Sequence, residues 1–201
     1  VDEKIGRKSN TIRSFFIEKG DEFRLTPEQQ SVVAAWSVMK LMVSEYDEGA
    51  NDPMQITVHH THRKYMMKHK LPPKEGWGVW IGHYKRGNWP AFWVSHPFLI
   101  LPDRLARKRP DKRATYYNGR VSTQVVGKLF IHIVHSPMPN MIRGMNFDKS
   151  PDGGVLYRIW PPVGHSIVWP SAALTDRDAD FFAGALKEYF LFLQRKFKSA
   201  I

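Results

Sequence analysis

The sequence predicts an α+β fold: an antiparallel sheet preceded by N-terminal helices and closed by a long C-terminal helix. Three observations carry this. A helix-start signature at Thr26-Pro27-Glu28-Gln29 leads into an apolar stretch, the middle of the chain alternates β-rich runs with turn residues, and a capped amphipathic segment ends it. At 201 residues a single domain spanning 1–201 is the expected organisation. With 42% hydrophobic and 13% aromatic residues, the composition is that of a folded chain without a disordered bulk.

The elements follow in order. Residues 2–18 place Ile5, Ile12, Phe15 and Phe16 among polar residues, an amphipathic helix that Gly20 would end. At the next helix Thr26 supplies an N-cap hydroxyl, Pro27 occupies the position that needs no amide donor, and Gln29 follows three residues after the cap. That helix runs to about Tyr46 and is apolar over most of its surface, which predicts a central core helix with Trp36 buried in it. After a break at Gly49–Pro53, His59 to Lys70 reads as a short basic helix stopped by Pro72-Pro73. Residues 76–84 and 89–96 read as two strands joined as a hairpin across Arg86-Gly87-Asn88. A basic loop at 103–113 and a turn at Tyr116-Tyr117-Asn118-Gly119 lead into a long β-rich run from Ser122 to His135. Val155 to Trp160 is a further strand, followed by a Pro-rich stretch. Thr175-Asp176-Arg177-Asp178 then caps a closing helix through about Lys198.

Charge is distributed unevenly over this framework. Residues 1–50 carry a net −2, residues 51–150 a net +12 and residues 151–201 a net +1, so nearly all of the +11 total belongs to the middle of the chain. Concentrated basic charge attracts polyanions, because neutralised phosphates release counterions and the field steers association. Trp77, Trp80, Tyr84, Trp89, Trp93, Tyr116 and Tyr117 lie in the same stretch and would suit stacking on bases, or alternatively packing in the sheet. The densest cluster is Arg104, Arg107, Lys108, Arg109, Lys112 and Arg113, six basic residues in ten, with Lys85 and Arg86 nearby in the predicted hairpin. Arg makes bidentate phosphate contacts and Lys supplies point charge, so these eight residues are the predicted nucleic-acid footprint.

Other classes of chemistry fit poorly. The chain has no cysteine, which excludes a disulfide framework, a zinc ribbon and a thiol nucleophile within it. No apolar run reaches the length of a membrane span and the charged N-terminus is not a signal peptide, so a cytoplasmic location without a membrane partner is expected. His59, His60 and His62 lie close in sequence, yet no Asp or Glu occurs between Asp52 and Glu75 to complete a metal site. His132 and His135, three apart on a predicted strand, should point to opposite faces. His83 and His96 end two strands predicted to be adjacent and could face one another; with His132 they form the remaining enzymatic alternative. No carboxylate cluster, nucleophile elbow or Gly-rich phosphate loop is present, so no catalytic residue, no metal site and no cofactor is expected in this chain.

The order of motifs resembles a family. Phe16-Ile17-Glu18-Lys19-Gly20, Leu25-Thr26-Pro27-Glu28-Gln29 and Ala35-Trp36-Ser37-Val38-Met39-Lys40, followed by Pro72-Pro73, Trp77-Gly78-Val79-Trp80-Ile81 and Trp160-Pro161-Pro162, are similar to the C-terminal region of bacterial HNH endonuclease-like proteins. In that family a Cys- and His-containing HNH segment precedes such a region, and the chain, which opens on Val1 without an initiator Met, would begin just after it. The resemblance implies an accessory domain of an HNH endonuclease, and the His-Asn-His and Cys residues that would carry hydrolysis are absent. The expected function is nucleic-acid binding, DNA ahead of RNA. The alternative is a protein-interaction module that uses exposed aromatics.

Overall fold

The structure, a computed structural model, describes residues 23–49, 56–85, 91–98, 118–145, 147, 150–170 and 172–184. Its elements are β1 (Phe23–Leu25), α1 (Pro27–Gly49), α2 (His60–His69), β2 (Trp77–His83), β3 (Ala91–Phe98), β4 (Gly119–Val126), β5 (Leu129–His135), α3 (Pro139–Gly144), β6 (Tyr157–Trp160), β7 (Ile167–Trp169) and a helix over residues 176–184, here α4. The fold class is α+β. Five antiparallel strands form the main sheet in the order β3-β4-β5-β2-β6, and β1 pairs with β7 in a small second sheet.

Local chemistry explains where the helices start. Thr26 and Gln29 bond reciprocally, the Thr26 N–H donating to Gln29 Oε1 at 2.9 Å and the Gln29 N–H to Thr26 Oγ1 at 3.4 Å, so two orphan donors of the first turn of α1 are satisfied. At α4 the Thr175 N–H donates to Asp178 Oδ2 (3.0 Å) and the Asp178 N–H to Thr175 Oγ1 (3.3 Å), the same device. The predicted continuation of this helix to Lys198, and the predicted helix over 2–18, lie outside the described residues.

Strand pairing departs from the sequence reading in two ways. The expected run from Ser122 to His135 is two strands: Gly127, at φ 60, takes the first central position of a two-residue turn, and Val126 pairs with Leu129 across it. The expected hairpin between residues 76–84 and 89–96 does not form. β2 pairs with β5 and β6, β3 pairs with β4, and two strands therefore separate β2 from β3. β2 is in consequence an interior strand buried on both faces, as β4 and β5 are, which its unbroken run Trp77-Gly78-Val79-Trp80-Ile81 suits.

Each face of the sheet carries its own apolar cluster. On the near face Trp77, Val79, Ile81, Ile131 and Ile133 pack beneath Val33, Ala34, Val38, Leu41 and Met42 of α1. On the far face Trp80, Phe130, Val121, Val125 and Val134 meet Ile142 of α3 and Phe182 of α4. α1 is not buried all round: Trp36 and Met39 are half-buried at the margin of the near cluster, and Val43 and Tyr46 are exposed. The expectation of a fully buried Trp36 is thus corrected, because α1 lies on the sheet and has an open outer side.

Candidate nucleic-acid interface

The basic helix predicted between His59 and Lys70 is α2, and its ends are built locally. His59 is the N-cap, its Nδ1 accepting from the Thr61 N–H at 3.4 Å. Lys70 adopts the left-handed conformation at φ 59 and its N–H returns to Met66 O at 2.8 Å, so the helix closes before Pro72. Lys68 and His69 occupy the last turn, where positive charge meets the negative end of the helix dipole.

The inner side of α2 is polar and engaged. Met66 is its buried apolar anchor. Arg63 donates to Met42 O (2.7 Å), to Val58 O (3.3 Å) and to the carboxylate of Glu45, and its guanidinium lies 4.6 Å from the centre of the Tyr46 ring. Glu45 is fully buried and is one of the few charged groups inside the protein. Besides Arg63 it accepts from the Thr57 N–H (3.0 Å), the Thr57 hydroxyl and the Val58 N–H (3.3 Å), and Arg120 Nε of β4 stands 3.4 Å away. One carboxylate between two arginines locks α1, α2 and β4 together.

Burial governs two neighbouring histidines. His62 accepts a hydrogen bond from Trp77 Nε1 at 3.1 Å, and partial burial, then His59, holds it below the usual imidazole range. His135, cross-strand from both Trp77 and Arg120, is driven down to about 3 by burial first and then by His62 and Arg63. Neither of its ring nitrogens finds a hydrogen-bond partner among the described residues. On the far face His132 shares a hydrogen bond with Thr123 Oγ1 (2.9 Å), sits among Trp80, Phe147 and Phe182, and is also pushed to about 3 by burial.

The outer side of α2 is cationic. His60, Thr61, Lys64, Tyr65, Met67, Lys68 and His69 are exposed, the helix has no acidic residue, and neither Lys64 nor Lys68 pairs with a carboxylate among the described residues. Tyr65 and His69 stack on this side with ring centres 4.2 Å apart. Helical periodicity alone foreshadows the pattern, since residues 60, 64 and 68 form one stripe and residues 61, 65 and 69 the next.

The residues singled out from the sequence distribute as follows. Lys85 is exposed just after β2, its backbone N–H donating to Leu174 O at 2.8 Å. Arg86, Arg104, Arg107, Lys108, Arg109, Lys112 and Arg113 lie outside the described residues, as do Trp89, Tyr116 and Tyr117. Trp77, Trp80 and Tyr84 are core residues and not stacking surfaces, because β2 is covered on both faces; Trp93, on the edge strand β3, is exposed. His132 and His135 do point to opposite faces, as the spacing requires. The enzymatic alternative at His83, His96 and His132 fails on topology: His83 shares the near face with Trp77 and Ile81, whereas His96 and His132 are on the far face and two strands keep β2 from β3. His59, His62 and His69 are likewise apart in role, one a cap, one bonded to Trp77 and one stacked on Tyr65. No group of three or more potential metal ligands occurs among the described residues, and none of their helices is long and apolar enough to cross a membrane.

No protein-family model, curated protein or solved structure matches this chain.

Proposed function

We propose that this chain binds nucleic-acid phosphates, as the accessory domain of an HNH endonuclease that the sequence resemblance implies. The observation that carries the binding reading is the outer side of α2, where Lys64 and Lys68 stand exposed on an acid-free helix and neither pairs with a carboxylate among the described residues. A cationic helix surface is suited to a phosphate backbone, and Lys85 with the predicted loop Arg104–Arg113 would extend it. The companion role beside a hydrolytic module rests on the resemblance alone. A protein-interaction surface is the second reading, favoured by the exposure of Val43, Tyr46 and Met67 on α1 and α2.

Salt dependence tests the two against each other. Replacing Lys64 and Lys68 with Gln should weaken duplex DNA binding for every sequence and make the log-affinity against log-salt slope shallower by about 0.9 per lost contact. Replacing Arg107, Lys108 and Arg109 together tests the loop in the same way. Unchanged affinity and slope in folded variants would remove these residues from the interface, and no binding by the parent protein at low salt would favour the protein-interaction reading.

A further inference from the structure

Two adjacent stripes run along the outer side of α2. Each successive member advances about 6 Å along the axis, four residues at 1.5 Å each. His60, Lys64 and Lys68 form one stripe, cationic through its two lysines, and Thr61, Tyr65 and His69 form its neighbour, in which the rings of Tyr65 and His69 stack at 4.2 Å with an interplanar angle of 32°. Core packing does not account for this ring pair, because both residues are exposed, Tyr65 to 40%.

We propose that this surface takes single-stranded DNA, with the Tyr65–His69 pair as a platform for an unpaired base and Lys64 and Lys68 contacting the phosphates beside it. The inference rests on the nucleic-acid reading and adds the form of the nucleic acid. A duplex offers an approaching helix its phosphates and groove edges, and its base faces are already stacked inside; only an unpaired base has a face to lay on an exposed ring. The platform is also pre-organised. Met66 is buried, Arg63 ties the helix to Glu45 and to Met42 O, and His62 accepts from Trp77, so the rings are presented on a helix held by its inner side. Neither Lys64 nor Lys68 beside the rings pairs with a carboxylate among the described residues, and the sequence has no Asp or Glu from residue 53 to residue 74.

The test uses the whole chain with three labelled probes: a short single strand, the same strand annealed to its complement, and the strand with abasic sites. The intact single strand should bind more tightly than its abasic counterpart. Tyr65→Ala should weaken single-strand binding by about 5- to 150-fold, the range of one lost base stack, while duplex binding stays the same. Tyr65→Phe should restore it, and His69→Ala should reproduce part of the loss. Lys64→Gln with Lys68→Gln should weaken both forms and flatten the salt slope. Because Tyr65 and His69 are exposed, their variants should unfold at the temperature of the parent. Equal affinity for intact and abasic strands, or no effect of Tyr65→Ala, would overturn the platform while leaving phosphate binding standing; no binding to any probe would overturn both.

Discussion

Acidification should unfold this protein from within, through His132 and His135. Both imidazoles are buried, the first by Trp80, Phe147 and Phe182 and the second against Trp77 beside Arg63, and both are held near pKa 3. In the unfolded chain each returns to about 6.5. Between these values the unfolded state binds protons that the folded state refuses, so the unfolding free energy is intact above about pH 6.5 and falls as pH drops through that window. One proton contributes about 1.4 kcal/mol per pH unit, so the step from about pH 7 to about pH 5 costs about 2 kcal/mol for each histidine and about 4 kcal/mol for the pair. His62, also lowered, adds in the same direction. A loss of this size is a large part of the about 5–15 kcal/mol that holds a typical domain folded. Urea unfolding followed by tryptophan fluorescence at a series of pH values measures it. His132→Leu should make the pH dependence shallower by about one proton, a change in slope that a mere loss of packing would not produce. A decrease below about 1 kcal/mol over the window, or imidazole signals of His132 and His135 titrating near pH 6 in the folded protein, would refute the reasoning.

Two further predictions concern the scaffold beneath the interface. Glu45→Gln removes the carboxylate charge that pairs with Arg63 and with the fully buried Arg120, and should cost about 3–5 kcal/mol in denaturant unfolding; a cost below about 1 kcal/mol would show that the charge itself matters little. Gly76→Ala forces a side chain onto a residue at φ 74 and brings its Cβ to 2.6 Å from Ser136 O, so it should lower stability by about 1–3 kcal/mol, measured as a shift in the unfolding midpoint.

Local features were legible in the sequence because their causes are local. The capping pairs Thr26–Gln29 and Thr175–Asp178 form between residues three apart, and both appear where the side chains announce them. The same holds for the basic helix α2, for the strand at Trp77–His83 and for the opposite facing of His132 and His135, which follows from the twofold period of a strand. The outer stripe of α2 could also have been found this way, by counting in fours from His60 and Thr61. Sequence reasoning looked instead for the densest run of charge, at Arg104–Arg113.

Tertiary structure decided what depends on distant partners. A turn signal at Arg86-Gly87-Asn88 suggested that β2 and β3 are neighbours, but hydrogen-bond pairing across the whole sheet placed β5 and β6 beside β2. That single exchange moved Trp77, Trp80 and Tyr84 from candidate stacking surfaces into the core and separated His83 from His96. Glu45 reads from the sequence as an ordinary acidic residue near a helix end. Only packing reveals it as the buried carboxylate between Arg63 and Arg120, because burying a charge requires partners that chain order does not bring together. Composition and short-range spacing thus determined the element types and the basic character of this protein, while long-range pairing determined which of its charges and rings remain on the surface to meet a partner.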